Sequence, residues 1–258
     1  MDLTPRLLRI AEEIRPAEKV GDIGTDHGYL PIYLIKNRIA KTVIATDINQ
    51  EPLNAAWKNI KTYGLEEKIE TKLGAGTIPL EEEDLDVLII AGMGGKLISE
   101  ILRNSNSLKI NVNRIILQPM QQQAELRSYL LNEGYTIEKD LLVEEGRRIY
   151  EILVVSLQTH SEVKDSTDKM SIQQQINTQE IAKNHPKAFA IYKDLQMELG
   201  FQLFENPKGL ISKFLDQRIQ RMEKIIHETT DSKSEAAMRM NQRAREKAEK
   251  LKEVKQCL

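Results

Sequence analysis

The sequence predicts an α/β domain with a doubly wound seven-stranded sheet, followed by an all-helical domain. Three observations carry that expectation. Short apolar runs alternate with amphipathic helical patterns through residues 1–158. The run Asp86-Val87-Leu88-Ile89-Ile90-Ala91 is nearly continuous, as a strand buried on both faces must be. Beyond residue 158 the strand-like runs stop and only helical periodicity remains.

Each element follows from a local pattern. Leu3, Leu7, Leu8, Ile10, Ala11 and Ile14 recur at helical spacing, so a short amphipathic helix over 4–14 precedes the first strand. That strand covers 19–23, and a helix follows over 30–37. The second strand spans 42–46; its helix runs over 50–63, with Gly64 as the C-terminal cap. The third strand is 69–73 and the fourth 86–91, with a helix after Gly94-Gly95. The fifth strand is 114–118, and the helix over 122–132 ends at Gly134. Segments 136–143 and 148–157 flank Glu144-Glu145-Gly146 as an antiparallel pair. Five βα units closed by such a pair form a Rossmann-like sheet with a modified edge.

Residues 159–170 are polar and patternless and read as a linker, which divides the chain into domains 1–158 and 159–258. A helix rich in Phe and Tyr is expected over 185–204. Ile211, Leu215, Ile219, Met222 and Ile226 form one apolar stripe; Met240, Ala244, Ala248, Leu251, Val254 and Leu258 form another. Asp231-Ser232-Lys233-Ser234 is a turn between them, so the two helices are expected to pair as an antiparallel coiled coil.

The bulk numbers exclude several classes. With 258 residues, 40% hydrophobic and 29% charged, the chain has an ordinary globular composition. No apolar run approaches the ~20 residues a bilayer span needs, and the first residues lack a signal-peptide pattern. The single cysteine, Cys257, excludes an internal disulfide, and the four histidines show no metal-ligand spacing. A cytoplasmic, metal-independent monomer is expected. Charge is uneven: residues 1–158 carry a net −5 and residues 159–258 a net +3. A basic helical appendage on an acidic domain points to a polyanion, although a solvated helix of mixed charge accounts for the same numbers.

The chemistry concentrates at Gly21-Asp22-Ile23-Gly24-Thr25-Asp26-His27-Gly28-Tyr29-Leu30. A strand ending in a glycine turn that opens a helix brings backbone N–H groups to a ligand. Asp47, 23 residues after Gly24 at the end of the second strand, stands where nucleotide sites place an acid for the ribose hydroxyls. The loop is not a dinucleotide fingerprint. Asp22 and Asp26 repel phosphate but suit an ammonium group, and an adenosine with an amino-acid tail is S-adenosylmethionine. Asp22 alternatively serves as a strand-end or capping residue, and His27 as an N-cap or packing residue.

A second cluster, Ala91-Gly92-Met93-Gly94-Gly95-Lys96, follows the fourth strand. Methyltransferases acting on exocyclic amines often carry (D/N)-P-P-(Y/F) here. Glycines instead leave bare backbone beside a methyl donor, with room for a flat base. After the fifth strand, Gln118-Pro119 offers an amide suited to a base edge.

Together with Arg148-Ile149-Tyr150-Glu151-Ile152, these motifs resemble the bacterial tRNA (adenine-N1)-methyltransferases that modify adenine 22, over about residues 1–158. A C-terminal helical domain of coiled-coil type is similar to that family as well. The resemblance implies a class I methyltransferase fold, S-adenosylmethionine as cofactor and tRNA as partner. It places Asp22, Gly24, Asp26, His27, Gly28, Asp47, Ile48, Gly74, Ala75, Gly92 and Met93 on the cofactor. Tyr29, Gly94, Gly95 and Pro119 would border the target adenine, with Arg6 reaching the same mouth. Asp26, Gly94 and Gln118 would stand nearest the chemistry. Arg239, Arg243, Arg245, Lys247 and Lys250 would hold tRNA phosphates. Two positions depart from the family pattern: Ala75 where an acid is usual, and Met120 where Asn follows Gln-Pro.

Adenine N1 carries a lone pair at neutral pH, so attack on a sulfonium methyl needs no prior deprotonation. Catalysis is then an in-line approach of ~3–3.5 Å, and Asp26 or water takes the proton released from N6. N1 lies on the pairing edge, so a paired target must be unpaired or flipped. Two other classes fit the same residues: a methyltransferase for another RNA or a small molecule, and a non-catalytic RNA-binding adaptor with a vestigial cofactor site.

Overall fold

The computed structural model describes residues 2–105, 111–157, 181–232 and 234–258, in two compact units that divide between residues 166 and 167. The expected linker over 159–170 and Lys233 of the expected turn lie outside the described residues.

In the first unit, strands β1 (Ala17–Ile23), β2 (Ala40–Asp47), β3 (Ile69–Leu73), β4 (Asp84–Gly94), β5 (Asn111–Gln121), β6 (Tyr135–Glu145) and β7 (Arg148–Leu157) form one sheet in the order β3-β2-β1-β4-β5-β7-β6. The first five strands are parallel, while β7 runs antiparallel to both β5 and β6. Helices α1 (Pro5–Glu12), α2 (Tyr29–Lys36), α3 (Gln50–Thr62), α4 (Gly95–Asn104) and α5 (Gln123–Asn132) complete the unit. Apolar side chains fill both faces of the sheet. Val20, Val43, Ile89 and Ile116 pack with α1, α2 and α3 on one side; Leu88, Ile90, Ile115 and Leu117 pack with α4 and α5 on the other. Each such side chain contributes roughly 1.5–3 kcal/mol by leaving water.

Local chemistry sets the helix ends. Thr4 caps α1, its hydroxyl accepting from the Leu7 N–H at 3.5 Å, and Pro5 takes the first helical position, where no donor is missed. Gly64 stops α3 with φ +63°.

A buried ion cluster ties α5 to the antiparallel edge. Arg127 donates to Asp140 at 2.8 and 2.7 Å and to Glu151 at 2.7 Å, with all three residues buried. Burial works to lower the Arg127 pKa, but the two carboxylates outweigh it and hold the guanidinium above its ordinary value. Glu13, at the end of α1, is also buried; Lys139 of β6 donates to it at 2.7 Å.

The second unit contains α6 (Pro186–Leu199), α7 (Lys208–Thr229) and α8 (Glu235–Lys255). The helix expected over 185–204 ends earlier, because Gly200 turns the chain with φ +92°, and a short 3-10 turn follows at Leu203–Glu205. Helices α7 and α8 form an antiparallel hairpin. Lys255 pairs with Asp216 at 2.6 Å and Lys252 with Glu223 at 2.7 Å, while Asn241 Nδ2 donates to the Ile226 carbonyl at 2.8 Å. Ile211, Leu215, Ile219, Ala244, Ala248, Leu251 and Val254 are buried, as the stripes predict. Met240 departs from its stripe: it is 53% exposed, near the turn that joins the two helices. Met222 and Ile226 are half-buried.

Candidate active site

The parallel strands deliver their carboxyl ends to one edge, and the order reverses between β1 and β4. Open α/β sheets bind ligands in the crevice at such a switch point. The loop leaving β1 is drawn toward β2, since the N–H groups of Gly24 and Thr25 both donate to the Thr46 carbonyl, at 2.8 and 3.0 Å. Gly24 and Gly28 have φ +76° and +69°, which glycine tolerates without strain, and Gly28 opens α2. Asn59 of α3 steadies the loop by donating to the His27 carbonyl at 2.9 Å.

Within this loop the predicted residues occupy different depths. Asp22 is buried in β1, and burial pushes its carboxyl up to about 6; the Thr25 hydroxyl opposes the rise and Asp47 adds to it. Asp26 and His27 are exposed, with His27 Nε2 3.3 Å from Asp26 Oδ1. The His27 ring stacks on Tyr29 at 5.4 Å, so both rings stand at the mouth.

Asp47 ends β2 half-buried. Its Oδ1 accepts from the Asn49 N–H at 2.7 Å, while Oδ2 has no hydrogen bond among the described residues. The Asp47 carbonyl accepts from Gly74 N–H at 3.0 Å, bringing the end of β3 alongside. Ile48 and Ala75 are exposed there and Gly74 is half-buried. Thr46 Oγ1 is buried without a partner; its place at a strand end is the only sequence signal that could have singled it out.

At the end of β4 the glycines separate by role. Gly92 has φ +80° and open space where a β-carbon would stand. A β-carbon on Gly94 would meet only ordinary contacts, at 3.5 Å. Gly95 is different: it is buried, and a β-carbon would fall 2.2 Å from the Gln122 carbonyl oxygen. Its glycine is required by the packing of α4 against the start of α5.

Gln118 and Pro119 follow on β5. Both are buried, and the Gln118 amide faces protein. Gln118 Oε1 accepts from Arg6 Nη1 at 2.7 Å and from the Gly92 N–H at 3.1 Å. Arg6 is half-buried; its backbone N–H donates to Glu145 at 3.0 Å, and its guanidinium lies 5.5 Å from the Tyr150 ring centre. Met120, just beyond, is exposed. Tyr150 and Glu145 carry no role in the sequence reading; the Arg-Ile-Tyr-Glu-Ile motif was the available signal for the former.

The edge therefore offers two carboxylates at different depths, an open backbone bulge and backbone donors, beside an exposed aromatic pair. It lacks a nucleophile–base pair, and among the described residues no three His, Cys, Asp or Glu side chains gather as a metal site requires. The family described as a methyltransferase domain matches residues 3–153. The chain belongs to that family.

Other similarities extend this assignment. The chain is 34% identical over 154 residues to the tRNA (adenine(22)-N(1))-methyltransferase of Bacillus subtilis, covering 60% of this chain and 65% of that enzyme. The chain thus spans just under two thirds of that curated relative. Solved structures overlap more fully. The B. subtilis M1A22 tRNA methyltransferase TrmK superposes with a TM-score of 0.70 at 26% identity, over 98% of this chain and 99% of that one. M. capricolum TrmK in complex with S-adenosyl-homocysteine gives 0.74 at 25%, over 99% and 98%. Streptococcus pneumoniae Sp1610 in complex with S-adenosyl-L-methionine gives 0.70 at 28%, over 98% and 100%.

In the second unit, Arg239, Arg243, Arg245 and Lys250 are exposed and Lys247 is half-buried. Arg239 pairs with Glu235, Lys247 with Glu198, and Arg245 donates to Asn241 at 2.7 Å. Arg243 and Lys250 have no ion pair among the described residues. Arg239, Arg243 and Lys247 border a groove of about 580 Å³ between α7 and α8, floored by Met222, Ile225 and Met240. No described helix is long and apolar enough to cross a membrane.

Proposed function

We propose that this protein is an S-adenosylmethionine-dependent methyltransferase acting on N1 of adenine 22 in tRNA. The observation that carries the reading is the similarity over both units to TrmK holding S-adenosyl-homocysteine, joined to the 34% identity with the B. subtilis enzyme. The residues present fit the cofactor. Asp47 has a free oxygen for a ribose hydroxyl, Thr46 Oγ1 is a buried group lacking a partner, and Gly92 leaves its surroundings open.

When bound, S-adenosylmethionine supplies an electrophilic methyl group on sulfur. Asp47 holds the ribose, Asp22 and the 24–28 loop receive the amino-acid tail, and Ile48 with Ala75 flanks the adenine. The backbone at Gly92 and Gly94 leaves room for the flat target base. The sulfonium methyl would be supplied to the N1 lone pair, and exposed Asp26 or water would take the proton that the methylated base releases from N6. None of these steps demands a strong base, which agrees with a site that is built for positioning. His27 and Tyr29 at the mouth suit stacking on a flipped nucleotide. The free cations of α8 supply phosphate contacts that the acidic first unit lacks.

The test is methyl transfer from labelled S-adenosylmethionine to bulk tRNA, followed by nucleoside analysis. 1-Methyladenosine is expected, and it is lost from transcripts in which adenine 22 is replaced. Cofactor binding without transfer would favour the adaptor reading.

A further inference from the structure

We propose that Arg6 and Gln118 are a pair of positioning residues: Arg6 orients the Gln118 side chain so that it anchors the backbone bulge at Gly92, against which methyl transfer takes place. The inference rests on the methyltransferase reading above, and assigns both side chains a role away from the base.

The bulge comes first. The β4–β5 ladder pairs Ala91 with Gln118 and Met93 with Pro119, so Gly92 is an extra residue with no partner in the ladder. Its φ of +80° turns the N–H away from the regular ladder direction. Gln118 Oε1 meets that N–H at 3.1 Å and supplies the missing acceptor.

Arg6 settles which way the amide points. Arginine only donates, and so does the Gly92 N–H, so the atom that meets both must be oxygen. Gln118 Nε2 is thereby aimed at the Pro119 carbonyl, at 3.1 Å, and at Met120 Sδ, at 3.6 Å. With the side chain 0% exposed and these contacts made, the amide has no free face for a substrate. Arg6 is held in turn by Glu145 of β6 and Tyr150 of β7. The guanidinium thus transmits the position of the antiparallel edge to the end of β4.

Catalysis by positioning is sensitive to displacements of about 1 Å, which cost on the order of 100-fold. Arg6→Met, which keeps the stem and removes the donor, and Gln118→Leu are therefore expected to lower kcat by about 10- to 100-fold. The affinity for S-adenosylmethionine and the KM for tRNA should stay within about threefold in both variants, as expected for effects confined to the transition state. Arg6→Lys, which retains a donor, should recover most of kcat, and the double variant should be no slower than the slower single one.

A readout independent of turnover is hydrogen exchange at the Gly92 amide in the full chain, whose protection should fall at least tenfold in Arg6→Met and Gln118→Leu. Unchanged protection would overturn the pairing even if the enzyme proved to have another substrate. A raised KM for tRNA with kcat intact would overturn it in favour of direct RNA contact. Loss of kcat in Gln118→Leu but not Arg6→Met would make the glutamine act alone and would equally overturn it. Failure of the wild-type chain to methylate tRNA would count against the function, while the exchange result would still decide the pair.

Discussion

Gly24 and Met93 meet across the switch point: a β-carbon on Gly24 would stand 2.3 Å from Met93 Cε. The β1 loop and the β4 bulge are thus packed together through a hydrogen atom on one side and a flexible thioether on the other. Gly24→Ala forces the methionine tip aside and places a side chain at φ +76°. The backbone term alone costs about 1–2 kcal/mol. We expect a lower melting temperature and weaker S-adenosylmethionine binding, read by calorimetry on the same sample. An alanine variant with unchanged affinity would show that the loop does not shape the cofactor site.

On the proposed function, Asp47→Ala would remove charge-assisted hydrogen bonds to a ribose diol. Affinity for S-adenosylmethionine should fall by roughly 1–3 kcal/mol. Titration calorimetry checks this directly, and an unaltered affinity would take the ribose away from Asp47.

Neighbouring glycines should respond oppositely. Gly94→Val keeps an allowed backbone, since Gly94 has φ −69° and ψ 143°, so the protein should fold, bind cofactor and fail to methylate. Gly95→Ala drives a β-carbon into the Gln122 carbonyl and should destabilise the fold by about 1–3 kcal/mol, the usual cost of overpacking. Thermal melts and single-turnover assays on the two variants separate space for a base from space for a helix.

Asp22 makes stability depend on pH in an unusual direction. Its folded carboxyl titrates at about 6 rather than the ordinary 3.8, because burial disfavours the charge. The native state therefore holds a proton that the unfolded chain has released, and stability falls as pH rises from about 4 to 6. Above pH 6 the penalty is complete, at roughly 3 kcal/mol. Asp22→Asn should be more stable than the wild type at pH 7.5 and nearly equal at pH 4. Denaturant titrations across this range test it; a gap between the two that does not widen with pH would rule out the buried carboxyl as its source.

On α8, Arg243 and Lys250 are exposed and unpaired by acids among the described residues, whereas Arg239 and Lys247 are paired with Glu235 and Glu198. Arg243→Glu with Lys250→Glu should weaken tRNA binding strongly and lower the slope of log affinity against log salt by about 2, one for each phosphate no longer neutralised. Filter binding at several salt concentrations measures both. Equal affinity and slope would move the RNA-binding surface off this helix.

Much of the fold was legible because burial writes itself into apolar periodicity. The third strand, Ile69–Leu73, and the last, Arg148–Leu157, lie where the pattern puts them. The fourth strand runs three residues further than its apolar run, to Gly94, because the ladder continues through a bulge that periodicity does not register. Met240 shares a stripe with Ala244 yet is exposed, since near the connecting turn the two helices leave a groove that Met222, Ile225 and Met240 line. At the site, residue types and spacing placed the candidate residues at strand ends, but side-chain orientation was beyond reach. Gln118 stands beside the expected crevice and looks inward, because Arg6, 112 residues earlier in the chain, claims its oxygen. The Arg127 cluster escaped notice for a related reason: its three members lie on α5, β6 and β7, and no local spacing unites them.

The clasp of α1 onto the far edge of the sheet has a bearing on how the protein is made. Arg6 reaches Glu145 across 139 residues and Gln118 across 112, and Glu13 reaches Lys139 across 126. Closing loops of that length costs entropy before any contact repays it. On a translating ribosome the polar contacts of the first helix to β6 must wait until the closing hairpin of the sheet has emerged. The anchor of the Gly92 bulge is consequently among the last parts of the first unit to assemble. A nascent chain that halts short of residue 145 carries every loop of the nucleotide site, but not the clamp that sets its geometry.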